Sequence, residues 1–258
     1  MKLKDKVVLI TGASSGIGAI CAQKLSEQGA LPVLLARSED KLQKISASIA
    51  GTPDWYPLDV TDNEQVEALI TRIIDRYGRI DVVLNNAGYG QFEMTKNMTV
   101  AAFEQMMDVN YMGTVRMTKA VLPHMLASGQ GHIVNVASMA GKIGTAKSAS
   151  YTATKHAVLG FSNALRQELR ETGIKVTTIN PGPIDTPFFE TADPDGGYIS
   201  NLKGFIMQPE YVADKMVQAI VKQKEEVNLP HIAAAGIRLY QLFPRLADKL
   251  TYGLLNRK

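Results

Sequence analysis

The chain has 258 residues, of which 45% are hydrophobic and 21% are charged, so it can form a sizeable core and does not have the composition of a disordered protein. Its formal net charge of +3 is too small to indicate a nucleic-acid-binding surface. The single cysteine, Cys21, excludes an intrachain disulfide, and no spacing of Cys and His is typical of a zinc site.

The amino terminus has only four consecutive apolar residues before Thr11, far fewer than a signal peptide or a membrane span requires. We therefore expect a cytoplasmic protein, in which Cys21 is a small packed thiol on the first helix.

Short apolar segments that predict β-strands alternate with longer segments of helical spacing. The predicted strands are residues 7–10, 31–35, 80–84, 133–136 and 174–179. The predicted helices are residues 17–25, 66–74, 115–126 and 158–169. Because the strands are apolar at nearly every position, helices should cover both faces of the sheet. The pattern predicts an α/β fold with a doubly wound, parallel, Rossmann-like sheet in a single domain of residues 1–258, although periodicity does not give the strand order.

A glycine-rich turn, Thr11-Gly12-Ala13-Ser14-Ser15-Gly16-Ile17-Gly18, joins the first strand to the first helix. Gly12 permits a sharp turn, Gly16 lets the backbone approach a diphosphate, and Gly18 lets the helix pack closely against the strand. The start of the helix offers free N–H groups and a partial positive charge to phosphates. Such a turn can also be purely structural, so taken alone it leaves both interpretations open.

Motifs along most of the chain resemble those of the short-chain dehydrogenase/reductase family, whose Thr-Gly-x-x-x-Gly-x-Gly signature matches the turn. The further matches are Asp59-Val60, Asn85-Asn86-Ala87-Gly88, Asn110, Ser138, Tyr151-Thr152-Ala153-Thr154-Lys155, and Pro181-Gly182 followed by Thr186. The resemblance is to an NADP-preferring branch similar to bacterial hydroxysteroid-dehydrogenase-like reductases. It implies an oxidoreductase that interconverts a carbonyl group and a secondary alcohol.

The resemblance also implies which residues bind the dinucleotide. The implied contacts are Gly12, Ser14, Ser15, Gly16, Ile17 and Gly18 in the turn, Asp59 and Val60 at the adenine ring, Asn86, Ala87 and Gly88 along the adenosine ribose, Tyr151 and Lys155, and Pro181, Gly182, Ile184 and Thr186, of which Thr186 would hold the nicotinamide carboxamide. Asp59 or Thr61 could instead cap a helix, and Asn-Ala-Gly could be an ordinary turn at the end of a strand.

Arg37 follows the second predicted strand, whose end should approach the adenosine ribose. NAD-preferring members of the family usually have an acidic residue there, which would repel a 2′-phosphate. A guanidinium can bind that phosphate with two charge-assisted hydrogen bonds, so we expect NADP(H) as cofactor. The alternative is a solvated arginine at the start of the next helix.

Tyr151 and Lys155 are four residues apart at the start of a helical pattern, so both side chains lie on one face. A free tyrosine has a pKa of about 10, and a nearby ammonium favours its phenolate, which makes Tyr151 the expected acid/base. Lys155 would also bind the nicotinamide ribose. Ser138 follows a strand and would stabilise the substrate oxygen. The resemblance implies that Asn110 disturbs its helix and holds a water that relays protons to Lys155.

The four histidines, His124, His132, His156 and His231, have no arrangement that suggests catalysis, so we expect them to be exposed or packed. Substrate specificity should lie in three segments at strand ends, residues 89–97, 139–149 and 187–208. The third is expected to be a substrate lid, and its apolar residues are Phe188, Phe189, Tyr198, Phe205, Ile206 and Met207. They favour an apolar carbonyl or alcohol, although the same rings could simply anchor the segment to the body.

Residues 226–229 could add a last strand, and residues 237–258 form an amphipathic basic segment interrupted by Pro244. This C-terminal tail could cover the site, pack between subunits or contact a membrane surface, and we favour packing. The family resemblance implies a homodimer or homotetramer, paired through the helices that contain Asn110 and Tyr151.

Two competing functions remain. A β-ketoacyl-carrier-protein reductase would need an exposed basic docking patch, to which Arg116 and Lys119 could contribute. An NADP(H)-binding sensor or scaffold without turnover would predict the loss of Tyr151, Lys155 or Ser138, and all three are present.

Overall fold

A computed structural model of the chain describes residues 1–194, 196, 197, 206–243, 245 and 249. Tyr198 and Phe205 of the predicted lid, and Pro244 of the predicted tail, lie outside these residues.

Seven strands of the described chain form one parallel sheet in the order β3-β2-β1-β4-β5-β6-β7. They are β1 Val7–Thr11, β2 Leu31–Ala36, β3 Trp55–Pro57, β4 Val82–Asn85, β5 Gly131–Val136, β6 Ile174–Pro181 and β7 Glu226–Leu229. The order reverses where β1 meets β4, with Val8 opposite Val82, and such a switch point opens a crevice for a ligand. The predicted parallel sheet is confirmed, including the last strand.

Helices cover both faces of this sheet. They are α1 Gly16–Glu27, α2 Glu39–Ser48, α3 Asn63–Tyr77, α4 Val100–Met107, α5 Gly113–Ser128, α6 Ala149–Glu168, α7 Phe188–Ala192, α8 Pro209–Lys222 and α9 His231–Leu242. A π-helical turn, Asp108–Met112, joins α4 to α5, and a 3₁₀ turn, Met139–Gly141, follows β5. The four predicted helices are confirmed within α1, α3, α5 and α6, except that α6 ends at Glu168, one residue before the predicted end.

Successive residues of β1 belong to two different cores. Val8 pointing to one face packs in a cluster with residues of α1 and α8, whereas Leu9 packs in a second cluster with residues of α3 and α5. This is why the strands are apolar at consecutive positions. Cys21 is fully buried in the first cluster, and burial raises the pKa of its thiol to about 12. The prediction of a small packed thiol is confirmed.

The cap of α3 is a different residue from those considered in the sequence. The carboxylate of Asp62 accepts a hydrogen bond from the Gln65 N–H at 3.0 Å, so the alternative that Asp59 or Thr61 caps this helix is wrong. The Asp59 carboxylate accepts hydrogen bonds from the N–H and the hydroxyl of Thr61, at 2.9 and 2.8 Å, which holds both residues in the loop after β3.

α9 starts at His231, six residues before the amphipathic segment that the sequence indicated. Ile237 is buried, whereas Ile232, Leu239 and Leu242 are exposed. Of the helices that the structure describes, none is both long enough and apolar enough to span a membrane.

Candidate active site

The predicted site residues meet at one edge of the sheet. The glycine turn follows β1, Arg37 follows β2, Ser138 follows β5, and Pro181 is the last residue of β6. Because the strands are parallel, all their carboxyl ends lie at this edge. The sheet therefore brings together residues that are far apart in the sequence.

The three glycines of the turn have the conformations and contacts that the motif predicts. Gly12 and Gly16 have φ values of +67° and +54°, which L-residues rarely adopt. A β-carbon on Gly18 would lie 2.5 Å from the Gly12 carbonyl oxygen, and one on Gly12 would lie 3.0 Å from the Ala87 Cα. Only glycine allows this approach between the turn and the chain after β4.

Thr11 fixes the turn against the segment after β4, a role that the sequence analysis missed. Its Oγ1 accepts hydrogen bonds from the N–H groups of Asn86 and Ala87, both at 2.9 Å. The Asn86 amide in turn donates to the carbonyl oxygens of Thr11 and Gly12, at 3.0 and 3.3 Å. The threonine of the Thr-Gly-x-x-x-Gly-x-Gly motif was the available signal.

The start of α1 has the features of a diphosphate-binding turn. Ser15 occupies the N-cap in an extended conformation without a side-chain hydrogen bond to the helix, and the first turn contains no acidic residue. Asp62 and Thr99 cap the starts of α3 and α4, whereas Ser38 at the start of α2, like Ser15, makes no side-chain cap. A β-carbon on Gly16 would lie 3.6 Å from the Thr186 side chain, so the loop after β6 faces the turn. Free N–H groups and a glycine surface here fit a dinucleotide diphosphate.

The residues predicted for the adenosine half lie around Asp59. Arg37 is exposed directly beyond β2, and Val60 is buried. Partial burial opposes ionisation of Asp59, but hydrogen bonds from Thr61 and the cations Arg37 and Arg116 outweigh it and hold its pKa below the ordinary value. Arg37 thus lies close enough to Asp59, in the loop after β3, for its charge to act on that carboxylate, and its contact with the ribose phosphate stays a prediction.

Two other predicted cofactor contacts, Gly182 and Ile184, make contacts within the fold. Gly182 donates its N–H to the Leu229 carbonyl oxygen at 2.7 Å, which links the ends of β6 and β7. The Ile184 side chain is buried in the first core cluster, and its backbone pairs with Met207. A cofactor contact of Ile184 therefore stays a prediction.

Tyr151 and Lys155 occupy adjacent turns at the start of α6, as predicted. The Lys155 Nζ lies 5.6 Å from the centroid of the Tyr151 ring and donates a hydrogen bond to the Val136 carbonyl oxygen at 2.9 Å. Lys155 is buried, and burial lowers the pKa of its ammonium to about 8. A β-carbon on Gly88 would lie 3.6 Å from this Nζ, so the segment after β4 borders the same centre.

Ser138 is buried between the ends of β5 and β6. Its hydroxyl donates to the Pro181 carbonyl oxygen at 3.2 Å and accepts a hydrogen bond from the Ala140 N–H at 3.1 Å, so it caps the 3₁₀ turn. To donate to a substrate oxygen, this hydroxyl would rotate away from Pro181.

Asn110 lies in the π-helical turn and is almost completely buried. The expected disturbance of the helix is therefore present. The amide bonds to both backbone groups of Tyr89 and to the hydroxyl of Thr154. Thr154 lies inside the Tyr151–Lys155 motif, but no role could be assigned to it from the sequence, because nothing local distinguishes it from other helical threonines.

Aromatic rings surround Tyr151 on the side of α7. The centroids of Phe92 and Phe188 lie 5.8 and 5.6 Å from that of Tyr151, and Phe189 contacts both phenylalanines. A β-carbon on Gly90 would lie 2.8 Å from the Phe188 ring. Two of the three predicted specificity segments, residues 89–97 and 187–208, thus meet at Tyr151, and Phe92 is a ring that no sequence pattern singled out.

The histidines take no part in this arrangement. His124, His156 and His231 are exposed, and His132 is buried in β5 with its Nε2 2.7 Å from the Thr177 hydroxyl. The expectation of exposed or packed histidines is confirmed.

Comparisons with known proteins agree with this geometry. The short chain dehydrogenase profile matches residues 6–196. An uncharacterized oxidoreductase of Staphylococcus epidermidis is 37% identical over 231 residues, which cover 90% of this chain and 97% of that protein. A solved short-chain dehydrogenase from Streptomyces avermitilis has a TM-score of 0.83 and 27% identity, with 97% of each chain covered. Actinorhodin polyketide ketoreductase, solved with NADPH, has a TM-score of 0.76 and 33% identity, covering 83% of this chain and 89% of that one. The chain therefore belongs to the short-chain dehydrogenase/reductase family of oxidoreductases.

Proposed function

We propose that this protein transfers a hydride between NADP(H) and an apolar carbonyl or secondary alcohol substrate. The observation that carries the proposal is a buried lysine ammonium, Lys155, beside the Tyr151 ring at the edge of the sheet where the glycine turn lies. Family membership supports a nicotinamide cofactor.

The bound nicotinamide would supply the hydride in reduction and accept it in oxidation. Tyr151 would donate its phenolic proton to the carbonyl oxygen in reduction and take a proton from the alcohol in oxidation. The Lys155 cation favours the phenolate that this exchange requires, and its amine would also bind the nicotinamide ribose. Ser138 would donate a hydrogen bond to the substrate oxygen as negative charge develops there. Asn110 would hold the proton-relay water.

The choice of NADP(H) over NAD(H) rests on Arg37. The guanidinium is exposed beyond β2, and its charge acts on Asp59, which the resemblance assigns to the adenine end. We expect NADPH to bind at least about tenfold more tightly than NADH, because one charged hydrogen-bonding contact contributes roughly that factor. Arg37→Ala should remove the preference and Lys41→Ala, an exposed cation on α2, should not. Equal dissociation constants in the wild-type protein would exclude this role of Arg37.

An apolar substrate is proposed because phenylalanine rings border Tyr151. The rings of Phe92, Phe188 and Phe189 contact one another. These contacts also anchor α7 to the chain after β4. The cluster can therefore both anchor this segment and contact a substrate, the two roles considered from the sequence. A carbonyl compound that reaches Tyr151 would contact these rings.

The two competing functions have less support. Arg116 bonds to the Asp108 carboxylate at 2.7 Å and to the Val60 carbonyl oxygen at 3.3 Å, so its guanidinium is engaged within the fold and is not a free docking cation. Lys119 is exposed. The sensor alternative does not explain why a lysine is buried beside Tyr151, at a cost in stability.

The test is a panel of simple and carrier-linked ketones, in which turnover is measured as the decrease in NADPH absorbance. We expect turnover of apolar simple ketones, and Tyr151→Phe should lower kcat by about 10²- to 10⁴-fold because it removes the proton donor. NADPH binding should remain in this variant, and Tyr211→Phe on α8 is a matched control. Unchanged turnover in Tyr151→Phe would overturn the mechanism, and turnover of carrier-linked substrates alone would favour the carrier-protein alternative.

A further inference from the structure

Thr154 links the helix of Tyr151 to the π-helical turn. It is fully buried in α6, between the proposed acid/base and Lys155. Its Oγ1 donates to the Tyr151 carbonyl oxygen at 2.8 Å and accepts a hydrogen bond from the Asn110 Nδ2 at 3.0 Å. Because the single hydroxyl proton points to Tyr151, a lone pair of the same oxygen is available to Asn110.

Asn110 extends this link to the chain after β4. Its Nδ2 donates a second hydrogen bond to the Tyr89 carbonyl oxygen at 2.8 Å, and its Oδ1 accepts one from the Tyr89 N–H at 2.9 Å. Both amide protons of Asn110 are therefore used, and the Tyr89 backbone defines which end of the amide is nitrogen. The Thr154 hydroxyl accepts the second amide proton, so its removal would leave a buried N–H without this partner and weaken the hold on the amide.

The segment held in this way borders both proposed reacting side chains. A β-carbon on Gly88 would lie 2.9 Å from the Asn110 Oδ1 and 3.6 Å from the Lys155 Nζ. Three residues beyond Tyr89, the Phe92 ring contacts the ring of Tyr151 edge to face. A shift of this segment would therefore alter the surroundings of both side chains.

We propose that Thr154 is a positioning residue, whose hydroxyl holds Asn110 and, through it, residues 88–92 in place against Tyr151 and Lys155. Its effect on catalysis rests on the function proposed above. The hydrogen bond from Thr154 to the preceding turn is common for helical threonines. The feature that carries the proposal is the second bond, from a buried amide on another element.

Three variants test this role. Thr154→Val removes the hydroxyl while it preserves the shape of the side chain, and Thr154→Ser retains the hydroxyl. Thr118→Val is the control. Thr118 is a buried threonine of α5, and its hydroxyl also accepts a hydrogen bond from an asparagine amide, that of Asn85, at 3.2 Å. Each variant is compared with the full-length wild-type chain by thermal unfolding, amide hydrogen exchange at Tyr89, and kcat, KM and pH profile with a ketone substrate.

In Thr154→Val we expect faster exchange of the Tyr89 N–H, because its acceptor Asn110 is no longer held. We also expect kcat to fall by about 10- to 100-fold, the usual cost of a small misplacement of reacting groups, together with a shifted pH profile. Thr154→Ser and Thr118→Val should keep the wild-type exchange rate, kcat and pH profile. A purely structural role would instead lower the melting temperature in both valine variants and leave the pH profile unchanged.

Three results would each overturn the inference. They are wild-type exchange at Tyr89 in Thr154→Val, wild-type kcat in Thr154→Val, and a loss of kcat in Thr154→Ser as large as in Thr154→Val. If the wild-type chain reduces none of the ketones, the proposed function fails instead, and exchange at Tyr89 alone then decides whether Thr154 positions the segment.

Discussion

Two buried ionisable groups at opposite edges of the sheet differ in what surrounds them. Asp81 precedes β4 at the amino edge, where its carboxylate accepts hydrogen bonds from the Val7 N–H at 3.0 Å, from Lys6 at 2.9 Å, and from Arg79. Lys155 lies at the carboxyl edge, and its amine donates to the Val136 carbonyl oxygen.

Burial opposes ionisation of both groups, and the partners decide the balance. At Asp81, hydrogen bonds from Arg79, Lys6 and Val7 outweigh burial and hold its pKa below the ordinary value. At Lys155, burial prevails and lowers the pKa from 10.5 to about 8. That difference corresponds to roughly 3 kcal/mol at neutral pH, at which the lysine remains charged in the folded protein. The Asp81 carboxylate contributes to stability, whereas the Lys155 ammonium lowers it. A residue that is kept at a cost in stability is expected to have a role in function.

Replacing the costly charge should separate activity from stability. Lys155→Met should lower kcat by about 10²- to 10⁴-fold, because the phenolate of Tyr151 loses its cation. The same change should raise the free energy of unfolding at pH 7 by about 1–3 kcal/mol, since methionine fits the buried site without a charge.

The sign of this effect depends on pH. Below pH 8 the lysine is protonated in both the folded and the unfolded chain, so its full cost is present. Between about 8 and 10.5 the folded chain loses the proton first, which raises wild-type stability and reduces the advantage of methionine. Urea unfolding at pH 7 and pH 10 measures both values. A variant that is less stable at pH 7 would contradict the comparison.

Removing the well-paired charge should have the opposite consequence. Asp81→Asn should lower the free energy of unfolding by about 2–3 kcal/mol, somewhat less than for a fully buried pair, because Lys6 and Arg79 are partly exposed. Turnover should remain at the wild-type level. The difference should close as the pH falls through the lowered pKa of Asp81, below 3.8, since the wild-type carboxylate then becomes protonated.

A surface ion pair is the control for this prediction. Lys24 and Asp214 pair at 2.7 Å, and the Asp214 side chain is 53% exposed, so Asp214→Asn should cost less than about 1 kcal/mol. Chemical denaturation at pH 7 compares the two variants, and equal losses would show that burial does not distinguish the two carboxylates.

The fold could be predicted because its signals are local. Consecutive apolar residues in β1 reflect helices on both faces, and the glycines of the turn have conformations that glycine alone readily adopts. The short strand Trp55–Pro57 was missed, since three residues carry no periodicity. The strand order and the start of α9 depend on tertiary packing, which periodicity does not record.

The candidate site could be predicted where a family motif marks a residue, as with Ser138 after β5 and Tyr151 at the start of α6. Its support could not. Thr154 and Asn110 are 44 residues apart, and their hydrogen bond exists only because α6 packs beside the π-helical turn. The contact of Phe92 with Tyr151 likewise joins two segments with no shared sequence pattern.

His132 extends the comparison to a neutral group near the amino edge. The backbone N–H of His132 donates to the Asp81 carbonyl oxygen at 2.9 Å, and the side chain is completely buried. The Thr177 hydroxyl donates to the Lys224 carbonyl oxygen, so the His132 Nε2 donates to Thr177 and carries the proton. Within the residues described, the Nδ1 has no hydrogen-bond partner. Burial lowers the pKa of this imidazole from 6.5 to about 4.

A further pH effect follows from this neutral imidazole. Between pH 6.5 and about 4 the unfolded chain binds a proton at His132 and the folded chain does not, so stability falls as the pH falls. At pH 5.5 the loss should be about 1 kcal/mol. His132→Gln, which retains a donor for Thr177, should remove this part of the pH dependence, whereas His124→Gln at an exposed position should not. Denaturant unfolding at pH 7, 5.5 and 4.5 measures how steeply the free energy of unfolding of each protein changes with pH. Equal slopes in the wild type and His132→Gln would show that the buried ring accepts a proton, and that burial near the amino edge does not oppose charge as it does at Lys155.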